Sequence, residues 1–354
     1  MALDLERLRA FPKVSLHDHL DGGLRANTVA ELAGEIGHEL PATDPDELGR
    51  WFAEAAAHSG SLVRYLETFA HTIAVMQTPA QLQRVAREFV EDLAADGVIY
   101  GEARWAPEQH LRAGLSVAQA IEAVRDGLAE GMAACAGRGT DIIVRQLVIA
   151  MRHLEPTCAI ADLALRYRDD GVAGFDIAGA ERGFRPARFL ESFAHLRRNN
   201  AYYTIHAGEA DGLASIEEAV QVCAAHRIGH GVAIMEDIKL AEGSATQLGD
   251  FAAYVRNERI CLEMCPSSNV QTGAAASIPE HPIGVLADLD FRVTVNTDNR
   301  LMSATTLTEE FAVLSDAFDY SIDQVRWFSR NAAKSAFAPY DVRRSLIDRI
   351  NQFD

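Results

Sequence analysis

Two histidines stand two positions apart at the end of an apolar run in the stretch VSLHDHLDGG, residues 14–23. In a β-strand, successive side chains point to opposite faces, so His17 and His19 would project the same way while Asp18 points the other way. Two imidazoles on one face can bind a metal ion, although so short a motif also occurs as ordinary polar residues at a strand end. Further candidate metal ligands elsewhere in the chain are needed to decide between these two interpretations.

Further candidate metal ligands lie at the ends of other β-rich runs. His206 stands in TIHAGE and Asp298 in NTDN. Together with His17 and His19 they offer three imidazoles and one carboxylate, a donor set that fits zinc better than magnesium or calcium. Because catalytic zinc often keeps three protein ligands and one water, four protein ligands would require a five-coordinate site. Water bound in such a site can have its pKa lowered to about 7 and so supply hydroxide near neutral pH.

Two more residues could act in catalysis beside this cluster. His230, in RIGHG, could orient or deprotonate the water, with Asp298 accepting the other hydrogen. Glu209 follows His206 by three residues and could reach a substrate instead of the metal. If burial raises the pKa of the Glu209 carboxyl, it can donate a proton to a ring nitrogen while hydroxide adds to the adjacent carbon. We therefore expect hydrolysis at an unsaturated carbon, with Glu209, His230 and Asp298 as catalytic residues.

The elements that must position these residues are eight short β-rich runs that alternate with amphipathic helical patterns. The runs are residues 14–20, 98–105, 142–150, 172–179, 201–209, 227–234, 260–266 and 292–298. Strand-then-helix order predicts a parallel sheet with covering helices, and eight units predict an α/β fold, a closed (β/α)₈ TIM-type barrel. Active sites of such barrels lie at the C-terminal strand ends, where the polar residues fall. We expect residues 1–354 to form one barrel domain.

The connection after the first strand is exceptionally long, running from about residue 24 to residue 97. Its pattern is mostly helical, and it is too apolar for a loose linker. We expect a helical insertion that folds over the C-terminal mouth of the barrel as a lid.

The composition restricts where the protein acts and what it binds. The formal charge of −18 disfavours nucleic acid, whose binding depends largely on Lys and Arg. Five scattered cysteines indicate reduced thiols in the cytosol. There is no apolar run long enough for a signal peptide or a membrane span. We expect a cytoplasmic protein that binds a small molecule.

The remaining histidines are interpreted as background, because they lie in helical or loop patterns without evident partners. They are His38, His58, His71, His110, His153, His195, His226 and His281.

Six motifs occur in order along nearly the whole chain: HDHLDG, GFDIAGAE, TIHAGE, RIGHG, CPSSN and NTDN. In series they resemble the adenosine deaminase family of metal-dependent hydrolases. The resemblance implies one zinc ion per chain and hydrolysis of adenosine and 2′-deoxyadenosine to the inosine product and ammonia, in purine salvage. It also implies that Glu209 donates to purine N1 and that His230 positions the attacking hydroxide. The metal ligands that it implies are His17, His19, His206 and Asp298.

The same resemblance implies contacts to a nucleoside. Gly179 matches a glycine whose N–H meets purine N3, and Asp21 matches an aspartate that accepts the ribose 5′-hydroxyl. Leu66 and Phe69 correspond to apolar lid residues. Asn299 departs from the family, because many members carry a second aspartate there, which donates to purine N7. An asparagine amide always has an N–H to give, so we expect purine binding to survive.

Alternatives remain within and outside this class. A deaminase of free adenine or of a modified adenosine would share the architecture, but Asp21 favours a ribosyl substrate, because a free base has no 5′-hydroxyl. A barrel that only binds is disfavoured by the complete set of metal and catalytic residues. The zinc deaminase signature H-x-E with P-C-x-x-C is absent. No lysine lies near 172–179 to bridge two metals, so a single-metal site is expected.

Overall fold

The fold is seen in a computed structural model that describes residues 3–240 and 246–353. Its strands are β1 Lys13–His19, β2 Val98–Trp105, β3 Ile143–Met151, β4 Val172–Ala178, β5 Thr204–Ala207, β6 Arg227–His230, β7 Ile238–Lys239, β8 Gln247–Leu248, β9 Cys261–Met264 and β10 Val293–Val295. Each of the eight predicted β-rich runs contains one strand of the barrel, and the short β7 and β8 form a separate antiparallel pair.

Eight parallel strands close into a barrel. Two four-stranded sheets have the orders β1-β2-β3-β4 and β10-β9-β6-β5. A bridge between Phe175 and Tyr203 joins the end of the first sheet to the segment before β5. A second bridge, between Asp18 and Asp298, joins β1 to the segment after β10. The predicted (β/α)₈ TIM-type barrel is therefore confirmed.

Helices surround the barrel. They are α1 Leu5–Ala10, α2 Ala26–Ile36, α3 Pro45–Ala57, α4 Leu62–Glu67, α5 Phe69–Ala74, α6 Pro79–Ala95, α7 Val117–Gly137, α8 Ala159–Arg166, α9 Leu190–Arg198, α10 Leu213–Glu217, α11 Asp250–Asn257, α12 Pro266–Gln271, α13 Ile283–Asp288, α14 Arg300–Ser303, α15 Leu307–Phe318, α16 Ile322–Ser335 and α17 Tyr340–Asn351. In the described part of the chain, none is long and apolar enough to cross a bilayer. The five cysteines are free, as predicted.

The long connection after β1 divides into two parts. Its last helix, α6, begins with a capping box at Thr78 and packs along α7, as a crossover helix of the barrel does. Gly127 and Gly131 of α7 permit this close approach, since a Cβ at Gly127 would lie 2.3 Å from the Gln83 carbonyl oxygen. The additional helices are therefore α2 to α5, and the predicted boundary at residue 97 extended too far. That they act as a lid stays a prediction.

Strands β1, β2 and β4 are buried along their whole length. Parallel strands with helices outside and a packed interior inside are covered on both faces, which is why they read as nearly continuous apolar runs. Charged residues inside these strands are exceptions that need partners. Lys13, at the start of β1, donates to the carbonyl oxygens of Leu8 and Phe11. The others lie toward the barrel interior or its C-terminal mouth, where the site is built.

Candidate active site

The four predicted metal ligands meet at the C-terminal mouth of the barrel. His17 and His19 come from β1, His206 from β5, and Asp298 from the segment after β10. Asp298 Oδ1 lies 3.2 Å from His17 Nε2 and 3.3 Å from His19 Nε2, and the Nε2 atoms of His19 and His206 are 3.4 Å apart. All four side chains are buried, with donor atoms within 4.8 Å of one another. The structure therefore brings together residues that are up to 281 positions apart, from 17 to 298.

These residues fit a divalent metal ion. Among the described residues, the buried His17 Nε2 forms no hydrogen bond, and its ion-pair contact is Asp298 Oδ1 at 3.2 Å. Burial, the largest cause, lowers the pKa of His19 to about 3 and the pKa of His206 to about 4, so both imidazoles are neutral and offer lone pairs. Neutral imidazoles that face a carboxylate at these distances are the donor set of a zinc-type site. A cation between them would satisfy every one of these nitrogens.

Carboxylates behind the imidazoles fix their orientation. His17 Nδ1 lies 3.0 Å from Glu263 Oε2, and His206 Nδ1 lies 2.9 Å from Asp176 Oδ2. An Nδ1–H that donates to a carboxylate leaves the Nε2 lone pair directed at the metal position. Arg104 bridges the two carboxylates at 3.0 Å from Asp176 and 2.7 Å from Glu263, which compensates their buried charges. Sequence reasoning missed both carboxylates, although each is an acidic residue inside a buried strand.

The remaining ligand, Asp298, is held by its backbone and by one side-chain oxygen. Its φ is +60°, its N–H donates to the His17 carbonyl at 3.0 Å, and its carbonyl accepts from the His19 N–H at 2.7 Å. Ser268 Oγ donates to Asp298 Oδ2 at 2.6 Å. Oδ2 is thus occupied while Oδ1 faces the imidazoles. Ser268 belongs to the CPSSN motif, whose role the sequence alone did not reveal.

A chain of hydrogen bonds fixes the tautomer of His230. The Ile283 N–H donates to His281 Nδ1 at 3.1 Å, so in neutral His281 the other nitrogen carries the hydrogen and donates to Asn269 Oδ1 at 3.2 Å. Asn269 Nδ2 then donates to His230 Nδ1 at 3.0 Å. Burial lowers the pKa of His281 to about 3, which keeps it neutral. In neutral His230 the hydrogen therefore lies on Nε2, 3.6 Å from Glu209 Oε2.

This tautomer bears on the two roles predicted for His230. An imidazole whose Nε2 carries the hydrogen can donate to an oxygen at the metal position but cannot take a proton there. The chain of bonds therefore favours an orienting role over that of a base. The structure also corrects the interpretation of His281 as background, because it lies directly behind this residue.

The Glu209 carboxyl lies beside His230 with a side chain that is only 6% exposed. Burial raises the pKa of Glu209 to about 7, and the carboxylates of Asp298 and Glu181 add to this effect against the opposing influence of His230. Its Oε1 is buried without a hydrogen-bond partner. A carboxyl with such a pKa can hold a proton near neutral pH and donate it to a bound molecule.

A cavity of about 430 Å³ opens between the barrel mouth and helices α4 and α5. One wall is polar and contains three of the four predicted metal ligands, His19, His206 and Asp298, together with Glu209 and His230. The other wall includes apolar side chains of the insertion. The cavity lies in the size range of small-molecule sites. All the predicted substrate-binding residues line it: Asp21, Leu66, Phe69, Gly179 and Asn299.

Two of these residues have features that suit ligand contacts. Gly179 has a φ of +104°, and a Cβ there would lie 3.1 Å from Met151 Cε, so a side chain would narrow the cavity. Asp21 Oδ1 is buried and accepts no hydrogen bond. Behind Asp21, His110 Nε2 lies 3.8 Å from Oδ2, while His110 Nδ1 lies 2.9 Å from the Met76 carbonyl oxygen.

The prediction that eight histidines have no partners was therefore wrong for several of them. Those with a polar partner include His281, His110, the pair His38 and His71 at 3.0 Å, and His195 with Asp162 at 2.8 Å. Within the described part of the chain, His281 and His110 lie behind residues of the cavity wall, and His153 lines the cavity itself, so the interpretation of these three as background was wrong.

An eight-stranded parallel barrel with three imidazoles and one carboxylate at its C-terminal mouth defines the class, a metal-dependent hydrolase. Residues 12–353 match the family model described as adenosine deaminase. A protein of Streptomyces coelicolor named adenosine deaminase 1 is 57% identical over 346 residues, which cover 98% of this chain and 87% of that protein. The chain belongs to the adenosine deaminase family.

Solved structures share the fold over nearly the whole chain. The crystal structure of adenine deaminase from Arthrobacter aurescens superposes with a TM-score of 0.82 at 24% identity and covers 97% of this chain and 99% of that one. The N6-mAMP deaminase of Arabidopsis gives a TM-score of 0.82 at 26% identity, covering 98% of this chain and 99% of that one. The first of these likenesses shows the fold alone.

Proposed function

We propose that this protein hydrolyses adenosine and 2′-deoxyadenosine to inosine and 2′-deoxyinosine with release of ammonia, as a purine-salvage enzyme. The observation that carries the proposal is the buried Glu209 carboxyl, whose pKa burial raises to about 7, beside a metal-type cluster in the cavity at the barrel mouth. The Streptomyces coelicolor relative at 57% identity, named adenosine deaminase 1, supports the choice of substrate.

The proposed metal is one zinc ion held by His17, His19, His206 and Asp298. Three imidazole nitrogens and one carboxylate oxygen suit zinc better than magnesium or calcium, which prefer all-oxygen sites. When bound, zinc lowers the pKa of a water molecule and supplies hydroxide near neutral pH.

The side chains around the cavity carry out the proton transfers and orient the reacting groups. Protonated Glu209 donates to purine N1, which draws electron density from C6 while the hydroxyl adds there. The Nε2–H of His230 orients the incoming oxygen. The proton that the water gives up moves to the exocyclic amine, and breakage of the C6–N6 bond releases ammonia. As the C6 carbonyl forms, the hydrogen of the added hydroxyl passes to the Glu209 carboxylate, which restores the acid. Adenosine and water thus give inosine and ammonia with all atoms accounted for.

The cavity wall would hold the nucleoside as follows. Asp21 Oδ1, which lies 3.8 Å from His19 Nδ1 and accepts no hydrogen bond within the described residues, accepts the ribose 5′-hydroxyl. The Gly179 N–H meets purine N3, and the Asn299 amide donates to N7. Leu66 and Phe69 cover the apolar parts of the ligand. Asn299 can give this hydrogen bond at any pH, because an amide needs no protonation to donate.

A substrate panel separates adenosine from its rivals, free adenine and modified adenosines. Ammonia release would be measured with adenosine, 2′-deoxyadenosine, 5′-deoxyadenosine, adenine, N6-methyladenosine and AMP, alongside zinc content. We expect comparable kcat/KM for the first two, and a loss of roughly 100-fold or more for adenine, because a buried carboxylate that loses its partner is penalised strongly. Preference for adenine, N6-methyladenosine or AMP would contradict the proposal.

Within that panel, 5′-deoxyadenosine is the matched test of Asp21, because it lacks only the 5′-hydroxyl. We expect kcat/KM to fall by roughly 10-fold to 100-fold, since hydrogen bonds to charged groups contribute about 1.5–3 kcal/mol. The Asp21→Ala variant should treat adenosine and 5′-deoxyadenosine alike. A wild-type enzyme that does not distinguish the two nucleosides would remove Asp21 from the ribose site.

The place of Asn299 can be tested through its neighbour Gly22. A Cβ at Gly22 would lie 2.0 Å from Asn299 Oδ1 and 2.7 Å from its Cγ, so Gly22→Ala must displace the amide. We expect KM for adenosine to rise by roughly tenfold, the value of about one hydrogen bond. The matched control is Gly34→Ala on α2, where a Cβ would meet nothing within 4 Å. An unchanged KM in Gly22→Ala would argue against a contact from Asn299 to the base.

A further inference from the structure

A single carboxylate, Glu181, binds the whole turn that carries Glu209. Glu181 follows β4 in the motif GFDIAGAE and is 3% exposed. It accepts five hydrogen bonds: on Oε1 from the Gly208 N–H at 2.6 Å and Ser215 Oγ at 2.6 Å, and on Oε2 from the N–H groups of Glu209 at 3.1 Å, Ala210 at 2.5 Å and Asp211 at 3.1 Å.

The backbone of this turn is shaped around that carboxylate. Four consecutive N–H groups can point at one anion only where the chain curls, as in the anion-binding turns called nests. Gly208, with a φ of +73°, begins the curl, and Gly212, with a φ of +72°, ends it. A Cβ at Gly208 would also lie 2.4 Å from two carbons of Ile216. The turn therefore has the form of an anion site whose occupant is part of the same chain.

A cation balances this charge and holds the strand that precedes the turn. Arg152 is fully buried and donates from Nη1 to the His206 carbonyl at 2.9 Å and from Nε to the Phe184 carbonyl at 2.7 Å. Its favourable charge interactions include the one with Glu181. Arg152 thus holds the segment 206–211 at its first carbonyl, and Glu181 holds it at its N–H groups.

We propose that Glu181 is a positioning residue for the deamination proposed above, on which this inference rests: it holds the 208–211 turn so that the Glu209 carboxyl reaches the base beside His230. Glu181 itself lies behind the turn, and it is not among the described residues that line the cavity. Its effect passes through the backbone N–H of Glu209, the same residue whose side chain donates the proton.

Both oxygens and the negative charge of Glu181 matter for this role. In Glu181→Gln the side chain keeps its size, but its NH₂ group must replace either Oε1, which faces two donors, or Oε2, which faces three. An amide hydrogen facing an N–H is repelled, so the turn must open in either orientation. Loss of the charge also lowers the pKa of Glu209, because Glu181 is among the groups that raise it.

The test compares Glu181→Gln with the matched control Glu236→Gln. Glu236 lies beside the same turn but is exposed and accepts only the Leu213 N–H, at 3.3 Å. In zinc-loaded Glu181→Gln we expect kcat for adenosine to fall on the order of 100-fold with KM changed less than about threefold, because a displacement of about 1 Å of a catalytic group suffices for such a loss. The control should retain wild-type kinetics.

The pH profile distinguishes positioning from general loss of structure. Glu209 must be protonated to donate, so a lower pKa for Glu209 removes the active form at a lower pH. We therefore expect the high-pH limb of kcat/KM to move to lower pH in Glu181→Gln and to stay in place in Glu236→Gln. Loss of zinc in step with activity, or an unmoved limb, would overturn the proposal.

A third measurement needs no substrate. Amide hydrogen exchange of residues 206–212, followed by mass spectrometry on the zinc-loaded protein, should be faster in Glu181→Gln by roughly tenfold or more, because four N–H groups lose a charged acceptor. Exchange at the wild-type rate would overturn the positioning role. If the wild-type protein releases no ammonia from adenosine, the proposed function fails, while this exchange experiment still decides whether Glu181 holds the turn.

Discussion

The variant Glu209→Gln is expected to keep its zinc and lose roughly 1,000-fold or more in kcat for adenosine, within the range of a general acid. The glutamine amide preserves the size of the side chain, and its NH₂ group can still donate a hydrogen bond to purine N1. It cannot transfer a proton, however, so the base is not activated when the hydroxyl adds to C6. The defect should therefore appear in kcat while adenosine still binds.

Steady-state kinetics and metal analysis on the same preparation check this expectation. The unperturbed reference is Glu236→Gln, the same chemical change at an exposed site next to the turn. Turnover close to wild type in Glu209→Gln would remove this residue from the mechanism. Loss of zinc in the variant would instead assign Glu209 to the metal site.

The variant His17→Ala is expected to lower zinc affinity by at least about 100-fold, because loss of a partner behind a ligand alone weakens metal binding 10-fold to 100-fold. The buried Nε2 of His17 faces Asp298 Oδ1 at 3.2 Å, and Glu263 Oε2 fixes the ring at 3.0 Å from Nδ1. Removing the imidazole also leaves Glu263 without one of its donors. Activity at ordinary zinc concentrations should fall with the metal content.

Metal content after dialysis, together with the zinc concentration needed to restore activity, measures this effect. His195→Ala is the matched control, because His195 is partly exposed on α9 and pairs only with Asp162, at 2.8 Å. A thermal unfolding curve would establish that the His17→Ala barrel has formed. Full zinc occupancy and activity in that variant would contradict the ligand assignment.

The barrel and the metal cluster could be predicted because their signals are local. Each barrel strand is a short apolar run, and the ligands sit at strand ends, where the topology alone brings them to one mouth. His206 and Asp298 needed no knowledge of packing to be chosen, since each lies toward the C-terminal end of such a run. The carboxylate between the two histidines, Asp18, also points away from them as expected, and it pairs with Arg300 at 2.9 Å.

The partners behind the ligands could not be predicted, because their pairing depends on which side chains face each other across the closed barrel. Glu263 is 246 residues from His17, and His281 reaches His230 only through Asn269. The role of Glu181 could not be predicted either. The N–H groups that it binds point to one place only in the folded turn after β5. In the same way, the helical pattern of α6 does not distinguish a barrel helix from a helix of the insertion. Its packing against α7 does.

The place where the barrel closes gives the metal site a second role. The hydrogen bonds between His17, His19 and Asp298 join the first strand of the barrel to the segment after its last strand. Three of the four proposed metal ligands therefore lie on the two sides of one seam. An ion coordinated across this seam ties the first and last strands together, so its binding free energy adds to the stability of the closed cylinder. A bound ion would thus stabilise the closed barrel as well as supply the attacking hydroxide.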